Sequence, residues 1–304
     1  MTRPKIYIDG QSGTTGLEIR QRLADRSDID LLIIPEDRRH EEAARKRMFE
    51  EADLAFLCLP DEAAREAVQL AEGTGVRLID ASTAHRTAWT YGFPELDWNQ
   101  EERIRQADKV ANPGCHATGF IAAVAPLSRS GLLDPETVLT AFSLTGYTGG
   151  GKKMIAAYET GKTPQMEAPK AYGLDLNHKH LPEMMTICQL KQPPLFVPVV
   201  DDYPRGMLVL VPVSASQLTR KLTLEELQSH FSRWYEGTAV QVQAGNPSLF
   251  AADKAGTDDL ELFVSGNDDG TGFVIAARFD NLGKGACGAA IRNMEIMLGL
   301  TRQA

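Results

Sequence analysis

The sequence predicts an α/β fold in two parts, a doubly wound parallel sheet followed by an α+β domain with a mixed sheet. Three observations predict it. Short apolar runs alternate with helix-patterned stretches up to Cys115, a glycine-rich turn follows the first run, and beyond Cys115 the runs lengthen and the alternation ends. Strand, helix, strand in repetition implies parallel pairing through right-handed crossovers.

In the first part the predicted strands are "KIYID" (5–9), "DLLIIP" (30–35), "LAFLCLP" (54–60), "VRLIDAS" (76–82) and "KVAN" (109–112). Between them, "GLEIRQRLADR" sets Gly16, Ile19 and Leu23 on one helical face, and "DEAAREAVQLAEG" starts on acidic residues and ends on glycine. After Cys115, "HATGFIAAVAPL" continues as a helix that Pro126 must kink or end, because its ring removes an amide donor. "ETVLTAFSLTGYTG" and "RGMLVLVPVSA" read as long strands, and "TLEELQSHFSRWYEG" as a crossover helix. The stretch 161–205 is rich in proline and poor in periodicity, which predicts loops and short elements around a site or an interface. "GACGAAIRNMEIMLGL" has the spacing of one final helix, and no internal repeat is present.

The 304 residues, 43% hydrophobic and 24% charged, suffice for one large or two core-sharing domains. A net charge of -9 argues against nucleic acid or an anionic membrane as partner, since both attract basic surfaces. No run of about 18 uncharged apolar residues occurs and "MTRPKIYIDG" lacks a signal core, so a soluble, cytoplasmic protein is expected. Cys58, Cys115, Cys188 and Cys287 stand far apart, without a CxxC pair or metal-ligand spacing to histidine. Neither a disulfide framework nor a metal site is expected, and a reducing compartment fits.

Directly after the first strand, "DGQSGTTG" places Gly10, Gly13 and Gly16 in a GxxGxxG spacing that opens a helix. Amide groups and the helix dipole there can hold a pyrophosphate, the Rossmann-type arrangement, although tight packing alone also uses such a turn. About 20 residues on comes "EDRRH", where Glu36 or Asp37 would hold a ribose hydroxyl and Arg38 and Arg39 a 2'-phosphate. Guanidinium pairs bind phosphate in bidentate fashion, which favours NADP. "GYTGGGKK" nearly matches a P-loop but has Lys153 where a magnesium-binding hydroxyl is needed, so nucleotide hydrolysis is set aside.

"NPGCHATG" puts Cys115 between a Pro-Gly turn and a helix start, where a thiolate is stabilised. Position alone leaves two readings, a buried apolar side chain or a nucleophile. Cys58, Cys188 and Cys287 read as the former. His116 points away from Cys115 on a helix and reads as structural. His178 and His180 in "NHKHLPE" would project on one side if extended, with Glu183 able to orient one of them.

Taken together, "GQSGTTG", "DASTAHR", "GFPEL", "NPGCHATG", "GYTGGGK", "NHKHLPE" and "DNLGKGACGAAIRNMEIMLGL" resemble the N-acetyl-gamma-glutamyl-phosphate reductases, particularly their shorter form, in order along nearly the whole chain. The glycine loop alone also fits the related aspartate-semialdehyde dehydrogenases. The resemblance implies NADP(H)-dependent reduction of an acyl phosphate to an aldehyde, with Cys115 as nucleophile and His178 or His180, the latter favoured, as general acid and base. It implies a cofactor site of Gly10, Ser12, Gly13, Thr14, Thr15, Gly16, Arg38, Arg39, Pro60, Ser82, Asn281, Gly283 and Lys284. Arg86, Lys152, Arg205 and Glu183 are candidates for the substrate. It further implies a nucleotide domain of residues 1–115 with 283–304, a catalytic and oligomerisation domain of 116–282, and a homodimer or homotetramer. Aspartate-semialdehyde dehydrogenase, and a non-catalytic NADP-binding protein needing neither Cys115 nor the histidines, remain as alternatives.

Overall fold

The computed structural model describes residues 3–243, 245 and 247–301. Two compact units emerge, one of Met1–Pro94, Asn99–Pro113 and Ala286–Ala304, the other of Glu95–Trp98 and Gly114–Gly285. Residues 1, 2 and 302–304 of the predicted nucleotide domain lie outside the described residues.

The first unit runs β1 (Lys5–Asp9), α1 (Thr14–Leu23), β2 (Asp30–Leu32), α2 (Glu42–Glu51), β3 (Leu54–Leu57), α3 (Asp61–Ala71), β4 (Arg77–Asp80), β5 (Thr90–Tyr91), α4 (Gln100–Gln106) and β6 (Lys109–Ala111). Its described strands are all parallel, in the order β2-β1-β3-β4-β6-β5. The five predicted strands are present; β1 matches its run residue for residue, and the other four are shorter than theirs. The two-residue β5 shows no periodicity that a sequence pattern could reveal.

The second unit contains α5 (Cys115–Arg129), β7 (Thr140–Gly146), α6 (Gly151–Glu159), β8 (Lys170–Ala171), α7 (Leu181–Ile187), β9 (Leu195–Asp201), β10 (Met207–Ser214), α8 (Leu224–Trp234), β11 (Val240–Gln243), β12 (Leu260–Gly266) and β13 (Gly272–Phe279). Its sheet is mixed, ordered β11-β12-β13-β10-β7-β9-β8. Parallel pairs β7/β9 and β11/β12 sit among antiparallel ones. One face lies under α5, packed so closely that a Cβ on Gly119 would meet Val209 at 2.5 Å and Phe279 at 2.8 Å. On the other face, alternate residues Phe142, Leu195 and Val274 are exposed, and Leu144, Val197, Val199, Leu210 and Pro212 half-exposed.

Three expectations need correcting. The "ETVLTAFSLTGYTG" strand is only β7; Tyr147–Gly150 turns as a 3₁₀ helix into α6, at a glycine whose Cβ would press on the Tyr203 and Pro204 backbone. β9 is a full strand inside the stretch read as loops and short elements, and Pro193, Pro194 and Pro198 hide its alternation. Of the two readings of Pro126, a kink or an end, the end is excluded, because the helix continues to Arg129. The Ala122 carbonyl, deprived of an amide donor by Pro126, instead accepts the Tyr235 hydroxyl at 2.8 Å.

α9 (Gly288–Leu298) completes the first unit, ending on Gly299 at φ 66. It covers one face of the parallel sheet with Ala290, Ile291, Met294 and Met297 against Ile6, Ile8, Leu54 and Phe56. Tyr7, Ala55, Leu57 and Leu78 point the other way into a core with Phe49 and Ala67. The sheet is thus buried on both faces, the condition under which strands read as continuous apolar runs. Among the described residues, no helix is long and apolar enough to cross a membrane.

Candidate active site

In the first unit the glycine loop closes by a hydrogen bond from Gly13 N to Gly10 O, 3.0 Å. Gly10 has φ +89, and a Cβ there would sit 2.3 Å from the Cys58 carbonyl; one on Gly16 would sit 2.3 Å from the Gly10 carbonyl. Packing alone therefore demands those two glycines. Gly13 is different: its Cβ position meets nothing closer than 3.5 Å, and it caps α1 without a side-chain hydrogen bond. An uncapped helix start with open space before it fits a dinucleotide pyrophosphate, with Thr14 and Thr15 in the first turn.

The "EDRRH" residues separate. Arg39 donates to Ser12 Oγ at 2.7 Å and pairs with Glu36 at 2.7 Å, placing its guanidinium on the glycine loop. Arg38 turns instead to Glu41 at 3.0 Å. Beneath the loop, buried Asp9 is paired with Arg45 at 2.7 Å and accepts from Tyr7, a network that no local motif signals. Pro60 caps α3. Ser82 donates its hydroxyl to the fully buried Asp80 at 2.7 Å, and His85 Nδ1 reaches the same carboxylate at 2.6 Å. Arg86 is buried and donates to the Ala81 carbonyl at 3.3 Å.

In the second unit Cys115 is the first residue of α5, half-buried, after Gly114 at φ -78, ψ 146. Gly114 offers no side-chain cap, and a helix start presents its first-turn amides towards an anion. The Gly114 amide donates to Glu183 Oε2 at 3.1 Å, and Glu183 Oε1 lies 4.0 Å from His180 Nε2. Glu183 is 1% exposed and His180 4%. The segment 178–180 is a turn rather than an extended strand, yet it brings the rings of His178 and His180 to 4.7 Å, edge to face. His178 Nδ1 accepts from the His180 amide at 3.2 Å.

His116 joins this cluster, its ring 5.3 Å from His178 and 5.6 Å from His180. Nδ1 bonds Ser143 Oγ at 2.7 Å and Nε2 bonds the Tyr172 hydroxyl at 2.9 Å. Burial, with smaller contributions from His178 and Lys179, pulls its pKa down to about 3, so the ring is neutral. Burial also pushes the Cys58 and Cys188 thiols well up, as apolar core cysteines require.

The remaining candidates are dispersed within the unit. Lys152 is exposed on the first turn of α6. Arg205 pairs with Asp280 at 2.8 Å; Asp280 is fully buried and also accepts from the amides of Gly256, Leu282 and Gly283. Asn281 braces two turns, accepting from Gly206 N at 2.9 Å and donating to Thr148 Oγ1 at 3.0 Å. A Cβ on Gly283 would lie 1.9 Å from the Thr257 carbonyl. Lys284 forms a buried ion pair with Glu95 at 2.6 Å, inside a π-helical turn (Gly283–Cys287). Next to it, a Cβ on Gly285 would come within 3.0 Å of the Cys115 Cβ, so that turn walls the thiol. Sequence reasoning missed four residues: Tyr172 and Ser143 carry no local signature, and Glu95 and Asp280 lie inside the quoted "GFPEL" and "DNLGKGACGAA" stretches without having been singled out. Among the described residues, no cluster of three or more His, Cys, Asp or Glu could hold a metal ion.

Residues 115–281 match the family model described as "Semialdehyde dehydrogenase, dimerisation domain", and 32–107 match "Semialdehyde dehydrogenase, NAD binding domain". The chain is 46% identical to a protein of Sinorhizobium medicae named N-acetyl-gamma-glutamyl-phosphate reductase, covering 97% of this chain and 99% of that one. It is 43% identical to a protein of the same name from Trichormus variabilis, covering 100% and 99%. Among solved structures it resembles aspartate semialdehyde dehydrogenase II of Vibrio cholerae complexed with ASA, at a TM-score of 0.76, 15% identity, and 98% and 99% coverage. It also resembles the aspartate semialdehyde dehydrogenase of Candida albicans with NADP, at 0.68, 14% identity, and 98% and 99% coverage.

Proposed function

The chain belongs to the N-acetyl-gamma-glutamyl-phosphate reductases, and from that premise we propose how its residues share the work. The enzyme reduces N-acetyl-L-glutamyl 5-phosphate with NADPH to N-acetyl-L-glutamate 5-semialdehyde, a step of arginine biosynthesis. The alternative, aspartate-semialdehyde dehydrogenase, is not favoured, because likeness at 14–15% identity speaks for the fold alone.

The observation that carries the residue assignment is Cys115 at an uncapped helix start, with Glu183 and His180 held beside its turn. The Cys115 thiolate attacks the acyl carbon, and the α5 amides receive the oxyanion as phosphate leaves. A thioester remains. Bound NADPH supplies the hydride that reduces it. His180, with buried Glu183 facing it, protonates the carbonyl oxygen as the hemithioacetal forms and retrieves that proton as the carbon–sulfur bond breaks. His178, its Nδ1 already accepting an amide, keeps Nε2 as a donor in its neutral form.

Gly10, Ser12, Gly13, Thr14, Thr15 and Gly16 would hold the cofactor pyrophosphate, and Arg39 rather than Arg38 the 2'-phosphate, because only Arg39 is anchored on Ser12. Pro60, Ser82, Asn281, Gly283 and Lys284 join them by family correspondence. Arg86, Lys152 and Arg205 are assigned to the substrate's anionic groups, with Glu183 at the edge of that site. A reducing cytoplasm suits a reaction that depends on a reduced thiol.

The apolar face carrying Phe142, Leu210 and Val274 is assigned to a second copy of the chain, in a homodimer or a tetramer built from it, since it lies within the matched dimerisation domain. Size-exclusion chromatography of a Phe142→Lys variant tests that contact.

The reaction run backwards tests the whole. N-acetylglutamate semialdehyde, phosphate and NADP should yield reduced-cofactor absorbance, which Cys115→Ala should abolish. Folded enzyme that stays silent, Cys115→Ala that stays active, or faster turnover of aspartate semialdehyde would sink the assignment.

A further inference from the structure

Ser143 is wholly buried, and among the described residues its hydroxyl has one partner, His116 Nδ1 at 2.7 Å. A buried hydroxyl proton needs an acceptor, so Ser143 donates and Nδ1 accepts. The single proton of the neutral His116 imidazole therefore sits on Nε2, which donates to the Tyr172 oxygen at 2.9 Å. The ring is held at both ends, and a residue of β7 selects its tautomer. Around it stand three more rings: His178 edge to face at 5.3 Å, Phe196 edge to face at 5.3 Å, and His180 tilted at 5.6 Å. His178 and His180 also meet each other at 4.7 Å, so the three imidazoles are in mutual contact.

Their protons are disposed differently. His178 Nδ1 accepts the His180 amide, which leaves its one proton on Nε2. Burial, with His178 and Lys179 adding to it, keeps His116 from taking a second proton. His180 faces the Glu183 carboxylate at 4.0 Å, and a proton added to the group is stabilised there. A second imidazolium 5.6 Å away would oppose that charge, and a neutral His116 does not.

We propose that His116 is a positioning residue for proton transfer: pinned by Ser143 and Tyr172, its uncharged ring fixes the orientation of the His178 and His180 imidazoles. It touches neither substrate nor cofactor in this role and acts through the rings packed on it. Rotation of a loosened His180 would carry its nitrogen away from the reacting oxygen, and a misplacement of about 1 Å costs up to about 100-fold in rate. That role presupposes His180 as the general acid and base.

The test is single-turnover reduction of NADP by N-acetylglutamate semialdehyde and phosphate in the full-length enzyme, run in water and in deuterium oxide. His116→Leu, which removes the ring, should slow turnover by about 10- to 100-fold with NADP affinity unchanged. Its solvent isotope effect should rise, because proton transfer becomes the slower event. Ser143→Ala, which frees one end of the ring, should change both quantities in the same direction by less. A smaller folded fraction lowers the amplitude and leaves the isotope effect alone, so a wild-type isotope effect in both variants overturns the proposal, whatever their rates. Should His116→Leu not fold, a wild-type isotope effect in Ser143→Ala does so by itself. Full turnover by His180→Gln would instead sink the acid and base assignment on which the role depends, so the two failures are distinguishable.

Discussion

The backbone amide of Gly114 donates to the buried carboxylate of Glu183 at 3.1 Å, tying the turn before Cys115 to the helix whose N-cap is His180. One side chain thus serves a structural and a chemical partner through its two oxygens. Glu183→Gln keeps an acceptor for the amide and removes the charge that faces His180. It should leave Cys115 alkylation near wild type while lowering kcat by about 10- to 100-fold. Glu183→Ala should lose both. Equal alkylation loss in the two variants would refute the division of labour.

Arg39 touches the glycine loop and Arg38 does not. A charge-assisted hydrogen bond is worth about 1.5–3 kcal/mol, so Arg39→Ser should weaken NADPH binding by about 10- to 100-fold with little effect on NADH. Arg38→Ser should change either affinity far less. Fluorescence titration of both cofactors against both variants decides, and equal losses from the two arginines would contradict the assignment.

Lys284 and Glu95 form an ion pair with both side chains about 95% buried. Lys284→Met leaves Glu95 charged and unaccompanied, which should cost about 3–5 kcal/mol in denaturant unfolding. The double variant Lys284→Met/Glu95→Leu should recover most of that stability. Its NADPH affinity then separates two roles for the lysine: unchanged binding makes Lys284 a structural residue, and a marked loss supports its place in the cofactor site.

His116 has its pKa lowered from 6.5 to about 3 by burial. Its unfolded form therefore binds a proton that the folded form refuses between those values, and stability falls as the solution is acidified through that window. Above pH 6.5 the contribution is fully present. The slope is at most about 1.4 kcal/mol per pH unit for one group. Urea unfolding across the window should show this acid limb, and His116→Gln should flatten it even while lowering stability at neutral pH. An unchanged slope in the variant would show that His116 is not the group responsible.

Local chemistry was legible where a residue type is demanded by its own backbone. Gly10, at φ +89 against the Cys58 carbonyl, admits no other side chain, and the Pro-Gly turn before Cys115 announces itself. What escaped notice depends on partners far along the chain. Pro126 reads as a kink or an end because nothing near it reveals that Tyr235 will take the vacated carbonyl and let the helix run on, and β9 reads as loop because its prolines break the alternation. Asp280 gathers Arg205 and Gly256 from segments 75 and 24 residues away, a convergence with no local pattern. His116 was read as structural, which its two saturated nitrogens fit, but its part in the histidine cluster emerges only when β7 and the Tyr172 loop are in place.

The side-chain partners of Gly114 and His116 in the "NPGCH" turn come later in synthesis: Ser143 follows His116 by 27 residues, Tyr172 by 56, and Glu183 follows Gly114 by 69. A nascent chain that has released Cys115 but not these residues carries an ordinary cysteine. With Cys115 as the proposed nucleophile, the groups that would activate its thiol are joined to it only after translation has moved well past it, so a truncated or stalled product lacks them.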